Sequence, residues 1–105
     1  MTVYVDDVFI PATVGRYRAR WCHLLSDSED KTELHVLAQR IGLRRSWFQL
    51  GKYAAYPLPW WHQHYDVTEG KRAEAIAAGA VPIHFREWSE LVAGFKAARD
   101  RKSVV

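Results

Sequence analysis

The chain has a single cysteine, Cys22, in 105 residues, which excludes an intramolecular disulfide and suits a reducing compartment. Long apolar runs are also missing. No stretch approaches the roughly 20 apolar residues that a membrane-spanning helix needs. The N-terminus lacks a basic start followed by an apolar run and a small-residue cleavage site. We therefore expect a cytoplasmic protein without a membrane partner. Repeats, linkers and low-complexity segments are absent, and 105 residues leave room for one core. Charge of one sign does not dominate either. Lys and Arg number 15 against 12 Asp and Glu, a net of +3 that leans toward phosphates or nucleic acid without demonstrating them.

Aromatic residues, by contrast, are plentiful. Five Trp and five Tyr can bury enough area to stabilise a small core without a staple. Thr2-Val3-Tyr4-Val5 reads as a first strand stopped by Asp6-Asp7. Pro11 and Gly15 mark a loop carrying Arg16, Arg18 and Arg20, and Trp21 to Leu25 reads as a short second strand. Ser26 to Leu43 has the clearest helical pattern, with Leu34, Leu37, Ala38 and Ile41 on one face and Gly42 as its stop. Either Ser26, with Glu29 at capping-box spacing, or Asp27 would cap it.

Ser46 to Leu50 is a third strand candidate. Gly51 to Trp61, with Tyr53, Tyr56, Pro57, Pro59, Trp60 and Trp61, reads as an ordered aromatic loop. That loop either stacks bases or, as we favour, covers a core edge or an oligomer interface. A strand over Gln63 to Val67 follows, and Thr68 caps a helix with an Ala73, Ile76, Ala77, Ala80 stripe. Val81-Pro82-Ile83 forms an edge strand, and a last helix spans about residues 86–101. Strands alternating with helices predict a small single-domain α/β fold, its sheet at least partly parallel and flanked by about three helices.

Chemistry concentrates in His62 to Arg72. With a helix starting at Thr68, Lys71 and Arg72 fall in its first turn, where cations oppose the helix dipole. A bound anion would reverse that sign, and the alternative is two solvated cations paired with Glu69 or Glu74. Strand alternation puts His62, His64 and Asp66 on one face, a spacing that can aim imidazoles and a carboxylate at a divalent metal. The competing reading is hydrogen bonding of His64 to Asp66 or to backbone. Asp6 and Asp7 sit where α/β enzymes hold catalytic carboxylates, though they can equally initiate a turn. His23 and Asp27 flank the first helix, His35 lies beside its apolar stripe, and Cys22 reads as buried, inert sulfur.

Several of these residues together resemble a bacterial and phage family known as domain of unknown function 4031. The matching features are Tyr4-Val5-Asp6-Asp7, Cys22-His23 followed by Asp27, Glu33-Leu34-His35, Gly42, Trp47-Phe48-Gln49, His64-Tyr65-Asp66 and Lys71-Arg72 leading to Gly79-Ala80. The resemblance runs from Tyr4 to about Ile83, with Ser26 in place of an expected alanine and a longer aromatic loop. It implies no established activity. It does bring forward polar matches at strand ends, namely Asp6, His23, Asp27, His35, His64, Asp66, Lys71 and Arg72.

These observations lead to one expectation and two alternatives. The expectation is a polar pocket acting on a phosphoester of a nucleotide or nucleic acid. There Lys71, Arg72 and Thr68 at the helix start hold phosphate, with Asp27 and His35 as further ligand contacts. His64 and His23 serve as acid or base, and Asp66 or Asp6 orients them or helps hold a divalent metal. The alternatives are a non-catalytic nucleotide- or nucleic-acid-binding module and a phage-type protein-interaction factor.

Overall fold

A computed structural model of the chain describes residues 1–51 and 58–102. Its elements are β1 (Val3–Val5), β2 (Ile10–Val14), β3 (Tyr17–Ser26), α1 (Thr32–Arg40), β4 (Tyr65–Thr68), α2 (Glu69–Ala77), β5 (Val81–Pro82) and α3 (Phe85–Lys102). The sheet is mixed, so the expected α/β class is what the chain adopts. Its parallel pair is β1 with β5, an edge strand that accommodates Pro82 as expected.

β3 organises everything else. Leu24 pairs with Val5 on one edge and with Tyr65 on the other, while Trp21 pairs with Ile10 and Thr68. Both β1 and β2 therefore run antiparallel along the same edge of β3, and β4 runs along the opposite edge. Between β1 and β2 the register slips by two residues, so Asp7 to Phe9 bulge out opposite Cys22 and His23. Phe9 takes φ 45°, an uncommon value for a bulky side chain, at the point where the strand resumes. The guanidinium carbons of Arg20 and Arg72 lie 5.0 and 5.1 Å from its ring centre.

The two sheet faces are sealed differently. Val3, Val5, Cys22, Leu24, Tyr65 and Val67 pack with Leu34, Leu37 and Ala38 of α1 and Ala75 of α2. On the opposite face Leu25 meets Trp61, Ile83, Trp88 and Val92, with Phe95 at the margin, so α3 covers only that end. Trp61 is buried there, which matches the favoured reading of the tryptophans as cover for a core edge. Lys52, Tyr53, Tyr56 and Pro57 of the expected aromatic loop lie outside the described residues.

Local chemistry shifts three expected boundaries. The segment Pro11 to Val14 is strand rather than loop, because β2 closes a tight hairpin with β3 at Gly15 and Arg16. Gly15 supplies φ 59° at the first turn position. Helix α1 begins at Thr32 and not at Ser26. Ser26 still pairs with Val3, and a relay of side-chain turns occupies the interval. The Ser26 hydroxyl accepts from Ser28 N, Ser28 from Asp30 N, and Asp30 from Thr32 N. Third, the strand expected over Ser46 to Leu50 is a short 3-10 turn at Arg45–Trp47 followed by one bridge, Gln49 to His64.

The entry to α1 also buries a cation. Lys31 is 9% exposed, with its ammonium 3.5 Å from the Ser26 carbonyl and 4.9 Å from the Trp60 ring centre. Burial lowers its pKa to about 8, against the smaller upward pull of Asp27 and Glu29. Between that value and the unfolded value near 10.4 the unfolded chain binds more protons, so stability rises with pH over this window. We expect Lys31→Met to stabilise the protein at pH 7 by up to about 3 kcal/mol and to flatten that rise, measured by urea denaturation at pH 7 and 10.

Candidate functional site

The bulge after β1 sets Asp6 directly against His23 of β3. Asp6 N donates to the His23 carbonyl at 3.0 Å, and Asp6 Oδ1 accepts from His23 N at 2.8 Å. Asp6 Oδ2 lies 2.7 Å from His23 Nδ1. The Asp6 carbonyl accepts from Arg72 Nε at 2.8 Å, which ties α2 to the same point. A buried carboxylate is costly unless its oxygens are satisfied, and here backbone and imidazole satisfy them.

His23 pairs with Asp66 of β4 in the sheet register, so both side chains project from the same face. Asp66 Oδ1 lies 3.3 Å from His64 Nε2 and 3.9 Å from His23 Nε2. Its Oδ2 accepts a hydrogen bond from Gln49 Nε2. The His23 and His64 rings stand edge to face with centres 4.7 Å apart. One ligand atom from each of His23, His64 and Asp66 falls within 4.8 Å of the others, a cluster able to hold a metal ion.

The outer nitrogens decide what the inner ones present. His64 Nδ1 lies 2.6 Å from the His62 carbonyl, which only accepts, so Nδ1 carries the proton. Asp6 imposes the same tautomer on His23. In their neutral forms both rings then direct Nε2 lone pairs toward the Asp66 carboxylate. Three electron-rich groups meeting without a proton or cation repel one another. Metal-binding histidines have this arrangement, with the outer N–H given to a carboxylate or backbone carbonyl.

The titration behaviour agrees with this geometry. Asp6 raises the His23 pKa through its hydrogen bond and charge, Asp66 adds to it, and burial opposes both. Burial pushes the Asp66 carboxyl up, but hydrogen bonds and charge from His64, the charge of His23 and the Gln49 bond together bring it below its ordinary value. The side chains of His23, His64 and Asp66 are 29%, 17% and 34% exposed, so the cluster is open to solutes. Hollows of about 500 and 570 Å³ lie elsewhere, beside α1 and beside α3. The cluster sits on the sheet face and not in either of them.

Of the residues singled out from sequence, Asp6, His23, His64 and Asp66 are brought together, with Arg72 attached through its Nε. The remainder are placed otherwise. Lys71 Nζ donates to the Ile41 carbonyl at 2.6 Å and pairs with Glu74 at 3.0 Å, while Thr68 Oγ1 accepts from Lys71 N as the helix cap. Asp27 accepts from Thr2 N at 2.8 Å and closes the end of the β1–β3 ladder. His35 lies on the opposite sheet face, its Nδ1 2.8 Å from the Tyr65 hydroxyl and its ring against Phe48. Asp7 accepts from Phe85 N at the start of α3. Cys22 is buried, and burial pushes its thiol up, as suits inert sulfur.

His62 leaves the expected face because it ends a 3-10 turn, Trp60–His62, before β4 begins, and only its carbonyl serves the cluster. Its place is taken by His23, which is far away in sequence. Gln49, the partner of Asp66, carries little signal in the sequence. Its presence in Trp47-Phe48-Gln49 was the one available signal.

A small mixed α/β domain carrying a two-histidine, one-carboxylate cluster on an open sheet face is the class defined by these observations. The chain belongs to the family described as "Protein of unknown function (DUF4031)", whose model matches residues 3–94 and so extends into α3. No curated protein and no solved structure matches it.

The Asp6–His23 contact has a defined pH signature. A folded pKa raised above the unfolded value near 6.5 stabilises the protein fully below that pH and ceases to do so as pH rises through the folded pKa. In chelator-treated protein we expect the His23 imidazole resonance to titrate above 6.5, and Asp6→Asn to bring it down. An unchanged midpoint in Asp6→Asn would show that Asp6 does not control this ring.

Proposed function

We propose that the protein is a divalent-metal-dependent hydrolase acting on phosphoesters. The reading is carried by the convergence of His23 Nε2, His64 Nε2 and Asp66 Oδ1, with each imidazole held in the ligating tautomer by its other nitrogen. Two imidazoles and one carboxylate suit a first-row ion such as Zn²⁺ better than Mg²⁺ or Ca²⁺, which prefer all-oxygen shells. Three protein ligands leave coordination positions for water and substrate. A metal ion so held supplies a hydroxide near neutral pH and polarises a phosphoryl oxygen.

The chain's own residues set the terms for that chemistry. Asp6 fixes the His23 ring and raises its basicity, and Gln49 fixes the Asp66 carboxylate. Arg72 donates from Nε to the Asp6 carbonyl and so braces α2 against the residue that orients His23. The phosphoester preference draws on the chain's net charge of +3.

The test is isothermal calorimetry with Zn²⁺ and Mn²⁺, followed by hydrolysis of a small chromogenic phosphodiester by the loaded protein. One bound ion per chain is expected, with affinity lowered about 100-fold or more in His64→Ala and about 10- to 100-fold in Asp6→Asn. Hydrolysis should fall in parallel. Equal metal affinity in wild type and His23→Ala/His64→Ala would overturn the reading.

A further inference from the structure

From the exposed face of the β2–β3 hairpin we infer that the phosphoester substrate is a single-stranded polynucleotide, a reading that rests on the proposed hydrolytic site. The hairpin outruns the rest of the sheet. β4 reaches only as far as Trp21, so the pairing of Tyr17 to Ala19 with Ala12 to Val14 forms a two-stranded arm beyond it. Along β3 the side chains of Tyr17, Ala19, Trp21 and His23 alternate onto one face. This places two aromatic rings in line with a candidate metal ligand. Six residues of strand separate Tyr17 from His23, roughly 20 Å.

The arm is built to present this surface. Tyr17 is 70% exposed, and Val14 and Ile10, the β2 partners of Tyr17 and Trp21, are 54% and 49% exposed. Trp21 Nε1 donates to the Ala12 carbonyl at 3.0 Å, which fixes the indole against the neighbouring strand. Flat aromatic rings on an open sheet are stacking platforms for unpaired bases, and they tolerate any base identity.

Charge favours a polyanion over a protein partner for the arm as a whole. From Val8 to Ser26 the chain has no Asp or Glu, yet it carries Arg16, Arg18 and Arg20. By the same alternation Arg18 and Arg20 project from the reverse face of the arm. Arg20 is paired with Glu69, so Arg16 in the turn and Arg18 behind it give the tip its uncompensated charge among the described residues. A mononucleotide cannot reach from the cluster to the tip. A strand of several nucleotides can, with bases on Trp21 and Tyr17, backbone near the tip arginines and a phosphodiester at His23, His64 and Asp66.

The test measures fluorescence anisotropy with end-labelled oligo-dT and oligo-U of about 12 nucleotides, with thymidine and uridine monophosphates as competitors and EDTA throughout. The two oligomers separate DNA from RNA. We expect the better oligomer to bind at least tenfold tighter than either mononucleotide. Tyr17→Ala should weaken it about tenfold. Arg16→Glu with Arg18→Glu should weaken it at least as much and flatten its salt dependence. Equal affinity for oligomer and mononucleotide, or binding indifferent to all three substitutions, would overturn the inference. So would a Tyr17-dependent dimer in light scattering without oligomer binding, because the face would then be a self-association surface. The two readings fail separately. Loss of metal binding in the calorimetry removes the hydrolytic reading while EDTA-insensitive oligomer binding persists. Turnover of the small diester without oligomer preference removes only the polynucleotide.

Discussion

The contact between Asp6 and His23 is the point on which the arrangement depends. Through backbone and side chain, Asp6 makes three bonds to one residue of β3, and its carbonyl takes a fourth from Arg72 of α2. One buried carboxylate thus ends β1, orients an imidazole and locks a helix to the sheet. The bulge that follows is what makes this possible. A continuous ladder between β1 and β2 would have left Asp6 as an ordinary strand residue, its carboxylate unsatisfied on a sheet face. The register slip instead turns the chain away after Asp6 and lets its oxygens face the neighbouring strand.

The two faces of the sheet then divide the work. Aliphatic side chains under α1 and α2 supply most of the apolar burial, and removing that area from water stabilises the fold by about 25 cal/mol per Å². The other face is covered by α3 at the Leu25 end only. His23, Asp66, Trp21 and Tyr17 occupy the remainder, in order along β3 and β4. Polar and aromatic groups can be kept there because the opposite face does not need them for stability.

Much of this could be read from the residues, and the failures have identifiable causes. Local signals gave the apolar face of α1, the Thr68 cap, the edge position of β5 and the presence of α3. The α1 boundary failed because Ser26 and Asp27 are good caps in isolation, while the pairing of Ser26 with Val3 is a long-range fact that capping preferences do not contain. At the site, alternation within His62 to Asp66 correctly joined His64 to Asp66. It could not supply the third ligand, which comes from β3 through cross-strand register. Helix position alone marks the cations of α2 as a phosphate site, whereas in the fold the carbonyls of Ile41 and Asp6 engage both of them.

Protons and a metal ion would compete for the same atoms in this cluster. Each neutral imidazole offers Nε2 toward Asp66, and a unit positive charge about 4 Å from a carboxylate gains about 4 kcal/mol at an effective dielectric of 20. A cation of either kind therefore relieves the same repulsion. The hydrogen bond from His23 to Asp6 strengthens both outcomes, since it makes the ring a stronger base and a stronger ligand at once. The balance is set by pH, because ligation requires neutral rings and releases any proton they hold. Below the raised His23 pKa the proton wins and the pair settles as imidazolium against carboxylate. Above it the lone pairs are left facing one another, and only there does the geometry gain from a divalent ion. A site poised in this way would take up a metal ion more readily as pH rises through the His23 pKa, with Asp6 fixing where the exchange occurs.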